Sequence, residues 1–372
     1  MKDNIKVGII TMHRVLNYGS VLQAYATQFI IEKLGYNCKI IDYNYPNAFQ
    51  YARGTMPYEI TWRGRIAKCF WLKARWRRIN RFSRFIRKRL NTTKFFPNQE
   101  KLRRYNFDFD VYVTGSDQVW NTIHTKGDTT FLLDFVNNQK KISYASSFAS
   151  TSIENKYAEV FKKYLCKYEY ISVREEMGRS LVQELINKDV PVVLDPTLLL
   201  EDKDWQELIS HSSLNLDKRK YILVYELHYA LNPYPLIMEI VDSIRKETGY
   251  EVISIGEFKD NKYEHTEYDE LGPEDFVKLF AYASVVVTSS FHGTAFAVNF
   301  SKRLYSITDS NNDNRQKSLL NNLGLSNCII DISESFEKID YTQQETGQAQ
   351  NKLALERKKS INYLSRALCI NR

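Results

Sequence analysis

Short apolar runs alternate with longer stretches of helical periodicity along the first half of the chain. The apolar runs predict strands at residues 6–12, 37–43, 110–114, 141–145, 170–173 and 190–194. Between the first two, residues 18–34 repeat apolar side chains at the three- and four-residue spacing of a helix. Repeated strand–helix units of this kind predict a parallel sheet with helices on both faces.

The same alternation returns after residues 195–205, whose sequence predicts a linker. Strands are predicted at residues 221–226, 251–255, 285–288 and 303–307, and helices at 235–248, 273–282, 292–299, 315–323 and 349–368. The pattern predicts an α/β protein of two Rossmann-like, doubly wound domains that face a cleft. We expect a first domain at residues 1–200 with a basic helical insertion at about 55–100, a second at 201–345, and a terminal helix at 346–372 that packs back toward the first.

The composition is that of a globular protein, with 43% hydrophobic and 26% charged residues. The sequence has no run of 18 apolar residues, so it predicts no membrane-spanning helix. The five cysteines are scattered and form no CxxC pair, which argues against a zinc site or a disulfide framework. Because no apolar leader precedes the first strand, we expect a cytoplasmic protein.

The net charge of +8 comes from one segment. Residues 62–89 carry 12 Lys and Arg and no Asp or Glu, which leaves a net charge of −4 for the rest of the chain. A stripe at helical spacing predicts an amphipathic helix, or a bent helix pair, and consists of Trp62, Ile66, Cys69, Leu72, Trp76, Ile79, Ser83, Ile86 and Leu90. Such a helix suits an anionic membrane surface. The alternative is a helix packed on the first domain with its arginines solvated, and no nucleic-acid partner is expected.

Ligands of parallel sheets bind at the carboxyl ends of the strands, and two motifs of the first domain follow predicted strands. Residues 17–23 begin with Asn17 and place Gly19 in a turn whose backbone N–H groups can hold an anion, although an ordinary glycine turn has the same sequence. Residues 114–121 contain Asp117, which can accept a proton or hydrogen bond from a substrate hydroxyl or can cap a helix.

Three further candidates lie in the first domain. Arg174 follows the strand at 170–173, where its guanidinium can grip a phosphate or carboxylate or form an internal salt bridge. Asp108 and Asp110 resemble a metal-binding pair, but they precede a strand, so we expect no metal. His13 follows the first strand and is a weaker candidate.

The strongest candidate in the second domain lies in the sequence VVVTSSFHGTAFAVNF, residues 285–300. A buried strand passes into a helix here, and His292 stands at the junction with Ser290 before it and Gly293 after it. Hydroxyls, backbone N–H donors and a side chain that ordinarily titrates near neutral pH coincide at this point. The alternative is a structural or capping histidine.

Taken in order, NYGSVLQAYA, TGSDQVWN, SVREE, VLDPTLLL and VVTSSFHGTAFAV, followed by DNRQKSLLNNLGL, resemble the polysaccharide pyruvyltransferases. The resemblance covers residues 5 to about 325 and leaves out the basic segment at 62–89, which is foreign to the common pattern of the family. It implies a glycosyltransferase-B-like fold, phosphoenolpyruvate as donor, and a pyruvate ketal on two hydroxyls of one sugar as product. The alternative with the same fold is a nucleotide-sugar glycosyltransferase.

The resemblance also implies roles for the candidate residues. Arg174 matches the donor-binding arginine, and we expect the donor to lie between the domains, with His292 as acid or phosphate ligand and Asp117 as base or acceptor contact. The further expected donor-binding residues are Ser290, Gly293, Arg315, Asn17 and Gly19. No cofactor or metal is expected. The expected acceptor is a lipid-linked sugar in capsular or exopolysaccharide synthesis, reached from the inner face of the plasma membrane.

Overall fold

The computed structural model describes residues 5–44, 62–216, 219–227, 231–256, 258, 265–309, 314–333 and 346–370. Its contacts divide the chain into two compact units. The first unit comprises Met1–Ala52, Ile86–Leu200 and Leu353–Arg372, and the second comprises Arg53–Phe85 and Glu201–Lys352.

The first unit contains a four-stranded parallel sheet. Its strands are β1 (Lys6–Ile10), β2 (Asn37–Ile40), β3 (Val111–Thr114) and β4 (Lys140–Ser143), in the order β2-β1-β3-β4. The strands predicted at 170–173 and 190–194 are wrong, because these segments form only isolated bridges. Side-chain hydroxyls take up backbone groups that a strand would pair with each other. Ser172 N donates to Ser143 Oγ at 3.0 Å, and Ser172 Oγ donates to Ser143 O at 3.0 Å.

Seven helices of the described chain contribute to the first unit: α1 (Tyr18–Lys33), the end of α2 (Trp62–Arg89), α3 (Gln99–Arg103), α4 (Thr122–Thr125), α5 (Asn155–Leu165), α6 (Glu176–Ile186) and most of the C-terminal helix (Thr346–Leu368). The C-terminal helix is held by polar contacts. Tyr363 OH donates to Ser143 O at 3.1 Å, Leu194 N donates to Ser360 Oγ at 3.0 Å, and Arg357 Nε donates to Leu198 O at 2.6 Å. These contacts place residues from Leu353 onward in the first unit.

The predicted linker at 195–205 is folded. Asp195 caps a 3-10 turn at Pro196–Leu198, and α7 (Asp202–Ile209) begins a few residues later. Leu198, Leu200 and Trp205 are fully buried. Leu198 and Leu200, which lie within the predicted linker, are therefore core residues.

The second unit contains a six-stranded parallel sheet in the order β10-β9-β8-β5-β6-β7. Its strands are β5 (Tyr221–Tyr225), β6 (Glu251–Ile255), β7 (Thr266–Tyr268), β8 (Val285–Thr288), β9 (Arg303–Thr308) and β10 (Ile329–Asp331). Its remaining helices are α8 (Leu236–Thr248), α9 (Pro273–Tyr282), α10 (Phe291–Asn299) and α11 (Asn314–Leu323), which makes the C-terminal helix α12. The two parallel α/β units confirm the predicted fold class.

The basic segment forms the single helix α2, but its buried face is offset from the predicted stripe. Phe82 and Phe85 are fully buried, whereas Trp76 on the predicted stripe is 64% exposed. Phe82 and Phe85, which were not on the stripe, share the buried positions with the stripe residues Ile86 and Leu90. Four stripe residues, Trp62, Ile66, Cys69 and Leu72, lie outside the part of the chain whose side chains the structure describes.

Contacts assign α2 up to Phe85 to the second unit, where the sequence-based boundaries place the whole insertion with the first. Arg77 Nη1 lies 2.9 Å from Glu270 Oε1, and Arg81 Nη1 lies 2.8 Å from Asp275 Oδ2. No helix in the described part of the chain has the length and hydropathy needed to cross a bilayer.

Candidate active site

The order of strands in the first sheet identifies where a ligand is expected. The chain passes from β1 to β2 on one side and returns to β3 on the other side of β1. The carboxyl ends of β1 and β3 therefore flank the topological switch point, at which open parallel sheets bind ligands. Asn17 and Gly19 follow β1, and Asp117 follows β3.

The two motifs meet at this edge. The Asn17 side chain caps α1 by accepting a hydrogen bond from Ser20 N at 3.2 Å. The Ser20 hydroxyl donates in turn to the carboxylate of Asp117. Gly19 is buried in the first turn of α1. Asn17, Gly19 and Asp117 therefore lie at one edge of the sheet in the first unit.

Backbone geometry fixes the position of Asp117. Asp117 has φ 73° and Gly115 has φ 104°, and a Cβ on Gly115 would lie 2.3 Å from the carbonyl oxygen of Tyr144. The chain therefore needs glycine to pass β4 closely before it presents Asp117. The helix-capping alternative for Asp117 is wrong, because the next helix, α4, is capped by Asn121.

Arg174 joins Asp117 in a buried ionic cluster. Its Nη1 lies 2.8 Å from Asp195 Oδ2, its Nη2 lies 3.8 Å from Asp117 Oδ1, and its Nε lies 3.8 Å from Glu175 Oε2. Burial alone would lower the pKa of the Arg174 guanidinium, but these three carboxylates together raise the pKa above its ordinary value. The internal salt bridge weighed as an alternative for Arg174 is therefore present.

Two acidic residues, Asp195 and Glu175, hold this cluster in place. Neither was assigned a function from the sequence. Asp195 Oδ1 accepts hydrogen bonds from Thr197 N at 3.0 Å and Thr197 Oγ1 at 2.8 Å, which aims Oδ2 at Arg174. Glu175 Oε1 accepts from Ser147 Oγ at 2.9 Å and from Phe148 N at 3.1 Å. The Asp-Pro-Thr sequence is a turn signature that could have identified Asp195 as a capping residue.

His13 belongs to a second buried group at the same edge. Its Nδ1 lies 3.2 Å from Thr11 O and its Nε2 lies 3.0 Å from Asp42 Oδ1, so both ring nitrogens face acceptors. Burial would raise the pKa of the Asp42 carboxyl, but hydrogen bonds from Arg14 and His13 outweigh burial and lower the pKa to about 2.

The second sheet has its own switch point between β5 and β8, because the chain runs from β5 to β6 and β7 before it returns to β8. His292 follows β8 and is the second residue of α10, with 7% of its surface exposed. Ser290 caps this helix by accepting a hydrogen bond from Gly293 N at 3.4 Å. The strand thus delivers His292 to the ligand-binding edge of the second unit.

Gly293 has a packing reason to be glycine. A Cβ at this position would lie 2.3 Å from Thr288 Oγ1 and 3.1 Å from Tyr225 Cδ1. Its missing side chain therefore lets α10 begin directly on the ends of β5 and β8. This close approach is to the protein itself.

Arg315 on α11 lies near the same turn. Its guanidinium carbon is 6.0 Å from the centroid of the Phe291 ring, and that ring is 5.2 Å from the ring of His292. Gln316 beside it anchors α11, since its Nε2 donates to Ser306 Oγ at 2.7 Å. The fold therefore brings Ser290, His292 and Arg315 together in the second unit.

One acid at the second switch point was missed. Glu226 follows β5, is 7% exposed, and its Oε1 accepts a hydrogen bond from Tyr234 OH at 2.5 Å. Its place at the end of the strand predicted at 221–226 was the available signal.

The candidate metal pair does not form a metal site. Asp110 Oδ2 accepts from Lys6 N at 2.8 Å, and Asp108 forms an ion pair with Lys6 Nζ. Both aspartates precede β3, at the edge of the sheet opposite Asp117. Across the residues that the structure describes, no group of three His, Cys, Asp or Glu side chains could hold a metal ion.

A scan against family models matches residues 17–311 to the model described as polysaccharide pyruvyl transferase. No curated protein sequence matches the chain. Among solved structures, Arabidopsis thaliana UGT89C1 complexed with UDP-L-rhamnose is 10% identical, with all of both chains covered and a TM-score of 0.51. A putative UDP-N-acetylglucosamine 2-epimerase from Listeria monocytogenes is also 10% identical, with 98% of this chain and 91% of that chain covered and a TM-score of 0.51. At this identity the likeness shows the fold alone, which is the glycosyltransferase-B type.

Proposed function

Because the chain belongs to the polysaccharide pyruvyl transferase family, we propose that it transfers the pyruvyl group of phosphoenolpyruvate to two hydroxyls of one sugar and forms a pyruvate ketal. The observation that carries this proposal is His292 in the first turn of α10, next to Phe291, whose ring centroid lies 6.0 Å from the guanidinium carbon of Arg315. A histidine, an arginine and a helix N-terminus together offer a proton and a positive potential. A donor that carries both a phosphate and a carboxylate requires these.

The proposed chemistry balances without an oxidant or reductant. A proton adds to C3 of phosphoenolpyruvate, which makes C2 electrophilic, and a sugar hydroxyl attacks C2 and loses its proton. Phosphate then leaves, and the second hydroxyl closes the ketal and loses its proton. The reaction therefore needs an acid, a base and a partner for the phosphate. His292 is our acid or phosphate ligand, and Ser290, Gly293 and Arg315 border the donor.

The first unit supplies the carboxylate of this proposal. Asp117 is held by Ser20 and lies in the cluster of Arg174, which suits a base or an acceptor contact that must keep one orientation. Arg174 is our donor-binding arginine, and Asn17 and Gly19 border the same edge. The Arg174–Asp195 contact supports a fixed guanidinium, which is what recognition of a planar carboxylate requires.

The proposed acceptor is a lipid-linked sugar on the route to a capsular polysaccharide or exopolysaccharide. Incubation of the purified chain with phosphoenolpyruvate and such sugars should release phosphate and add the mass of a carboxyethylidene group to the sugar. His292→Gln should abolish both signals. His211→Gln, which changes an exposed histidine of the same unit, should leave both unchanged.

The same assay addresses the alternative of a nucleotide-sugar glycosyltransferase. That activity would release a nucleoside diphosphate from a nucleotide sugar and add a whole sugar residue to the acceptor. Turnover of a nucleotide sugar, with none of phosphoenolpyruvate across the acceptor panel, would replace our proposal with this alternative.

A further inference from the structure

One face of α2 is strongly basic and points to solvent. We define the outer face of α2 as five exposed residues: Lys73, Trp76, Arg84, Arg87 and Lys88. The opposite face is occupied by the buried side chains of Phe82, Phe85 and Ile86. The last turns of α2 are therefore packed on their apolar side, and the outer face is exposed to solvent.

Among the described residues, the basic side chains of the outer face have no carboxylate partner. Residues 62–89 contain no acidic residue. The neighbouring Arg77 and Arg81 are matched by Glu270 and Asp275, but no carboxylate among the described residues forms an ion pair with Arg84, Arg87 or Lys88. The rest of the chain is net acidic, so this concentration of positive charge is local to α2.

Trp76 indicates which kind of anionic partner fits this face. It is 64% exposed between basic side chains, so its indole is available to a partner. Indole rings favour the headgroup region of a bilayer, and helices with basic residues and Trp lie in that region. The combination favours a lipid surface over a nucleic acid, which would be recognised by charge without the need for an apolar anchor.

The anchoring of α2 fixes the part of this face up to Arg84 within the second unit. Arg81 binds Asp275, which lies in the first turn of α9, and α9 follows β7. Because all strands of this sheet are parallel, the start of α9 lies at the same edge as His292. We propose that the outer face of α2 docks the protein on an anionic lipid bilayer. The purpose of docking rests on the proposed function, under which it brings the transferase to its membrane-anchored sugar.

The test measures vesicle binding and needs no turnover. Full-length protein is sedimented with vesicles of phosphatidylcholine and phosphatidylglycerol in equal parts, or of phosphatidylcholine alone. One triple variant removes three charges from the outer face: Arg84→Gln, Arg87→Gln and Lys88→Gln. The matched control removes three charges from the exposed surface of α5 and the residues after it: Lys162→Gln, Lys163→Gln and Lys167→Gln. Thermal unfolding verifies that all proteins are folded.

We expect the outer-face variant to bind the anionic vesicles about 100-fold more weakly than wild type, while the control binds like wild type. Trp76→Ala should weaken binding about tenfold without changing the net charge. Equal binding by wild type and the outer-face variant would overturn the proposal. So would binding to double-stranded DNA that depends on these residues while vesicle binding does not. Because catalysis is not measured, failure here would leave the pyruvyl transfer proposal standing.

Discussion

The two switch points of the molecule are built from different chemistry. At the first, charged groups are buried and matched to each other, with Arg174 among three carboxylates and Asp42 between His13 and Arg14. At the second, the groups around His292 are hydroxyls and the first-turn N–H groups of α10, with Arg315 nearby. The charged groups of the first site therefore hold one another, with an excess of carboxylate around Arg174. The second site combines the positive potential of the α10 N-terminus and Arg315 with one buried acid, Glu226.

The largest effect is expected at the second switch point. His292→Ala should lower turnover of phosphoenolpyruvate by about 10²–10⁴-fold, because it removes the proposed proton donor. His292→Gln should fail nearly as badly, since the amide can hydrogen-bond but does not readily supply a proton. Near-normal turnover of the Gln variant would make His292 a hydrogen-bonding ligand, and near-normal turnover of the Ala variant would make it a structural cap. Phosphate release measures both.

A substitution at the first switch point should lower the stability of the protein. Arg174→Met leaves the carboxylates of Asp195, Asp117 and Glu175 without their shared cation, and loss of one partner of a buried ion pair destabilises a protein by about 3–5 kcal/mol. Urea unfolding should show this loss. The matched Arg179→Met, which alters an exposed arginine of α6, should change stability little. A similar small effect at Arg174 would contradict the buried cluster.

Arg174→Lys separates charge from geometry at the same position. Lysine keeps the positive charge but lacks the planar fork that Asp195 and Asp117 contact. We expect a folded protein with a markedly raised KM for phosphoenolpyruvate. An unchanged KM, with only stability reduced, would restrict Arg174 to a structural role in the first unit.

Sequence patterns predicted what depends on neighbours along the chain. The helix at 292–299 and the strands at 251–255 and 285–288 begin and end within a residue of α10, β6 and β8, because apolar periodicity and turn residues decide them locally. β7 and β10 were not predicted, since three residues carry too little periodicity.

The ionic contacts of the first site could not be predicted from the sequence, for a different reason. Arg174 and Asp195 are 21 residues apart, and their contact depends on how Asp195 caps the following turn. The candidate residues could therefore be identified one by one, but the matching of their charges could not.

Gly293 tests how tightly the second site is built. Its Cβ would lie 2.3 Å from Thr288 Oγ1, so Gly293→Ala must push α10 away from the ends of β5 and β8. Overpacking of this kind destabilises by about 1–3 kcal/mol, and the shift should also lower turnover because His292 is the adjacent residue. Gly249→Ser provides a control, since nothing lies within 4 Å of a Cβ there; its φ of 68° adds a modest strain of its own. Loss of turnover confined to the Gly293 variant would support the close packing.

The smallest effect should be a loss of unfolding free energy at low pH, caused by a carboxyl group of the first unit. The pKa of Asp42 is lowered to about 2 by Arg14 and His13, below the ordinary carboxyl value that applies in the unfolded chain. A carboxyl whose pKa is depressed on folding contributes stability above its unfolded pKa, and this contribution is lost as the pH falls through the folded pKa. The pH window is therefore about 4 to 2, and the contribution is about 2 kcal/mol. Asp42→Asn should remove it, so the unfolding free energy of the variant should fall less steeply than that of wild type across this window. Parallel curves for the two proteins would show that Asp42 is not held by Arg14 and His13 in solution.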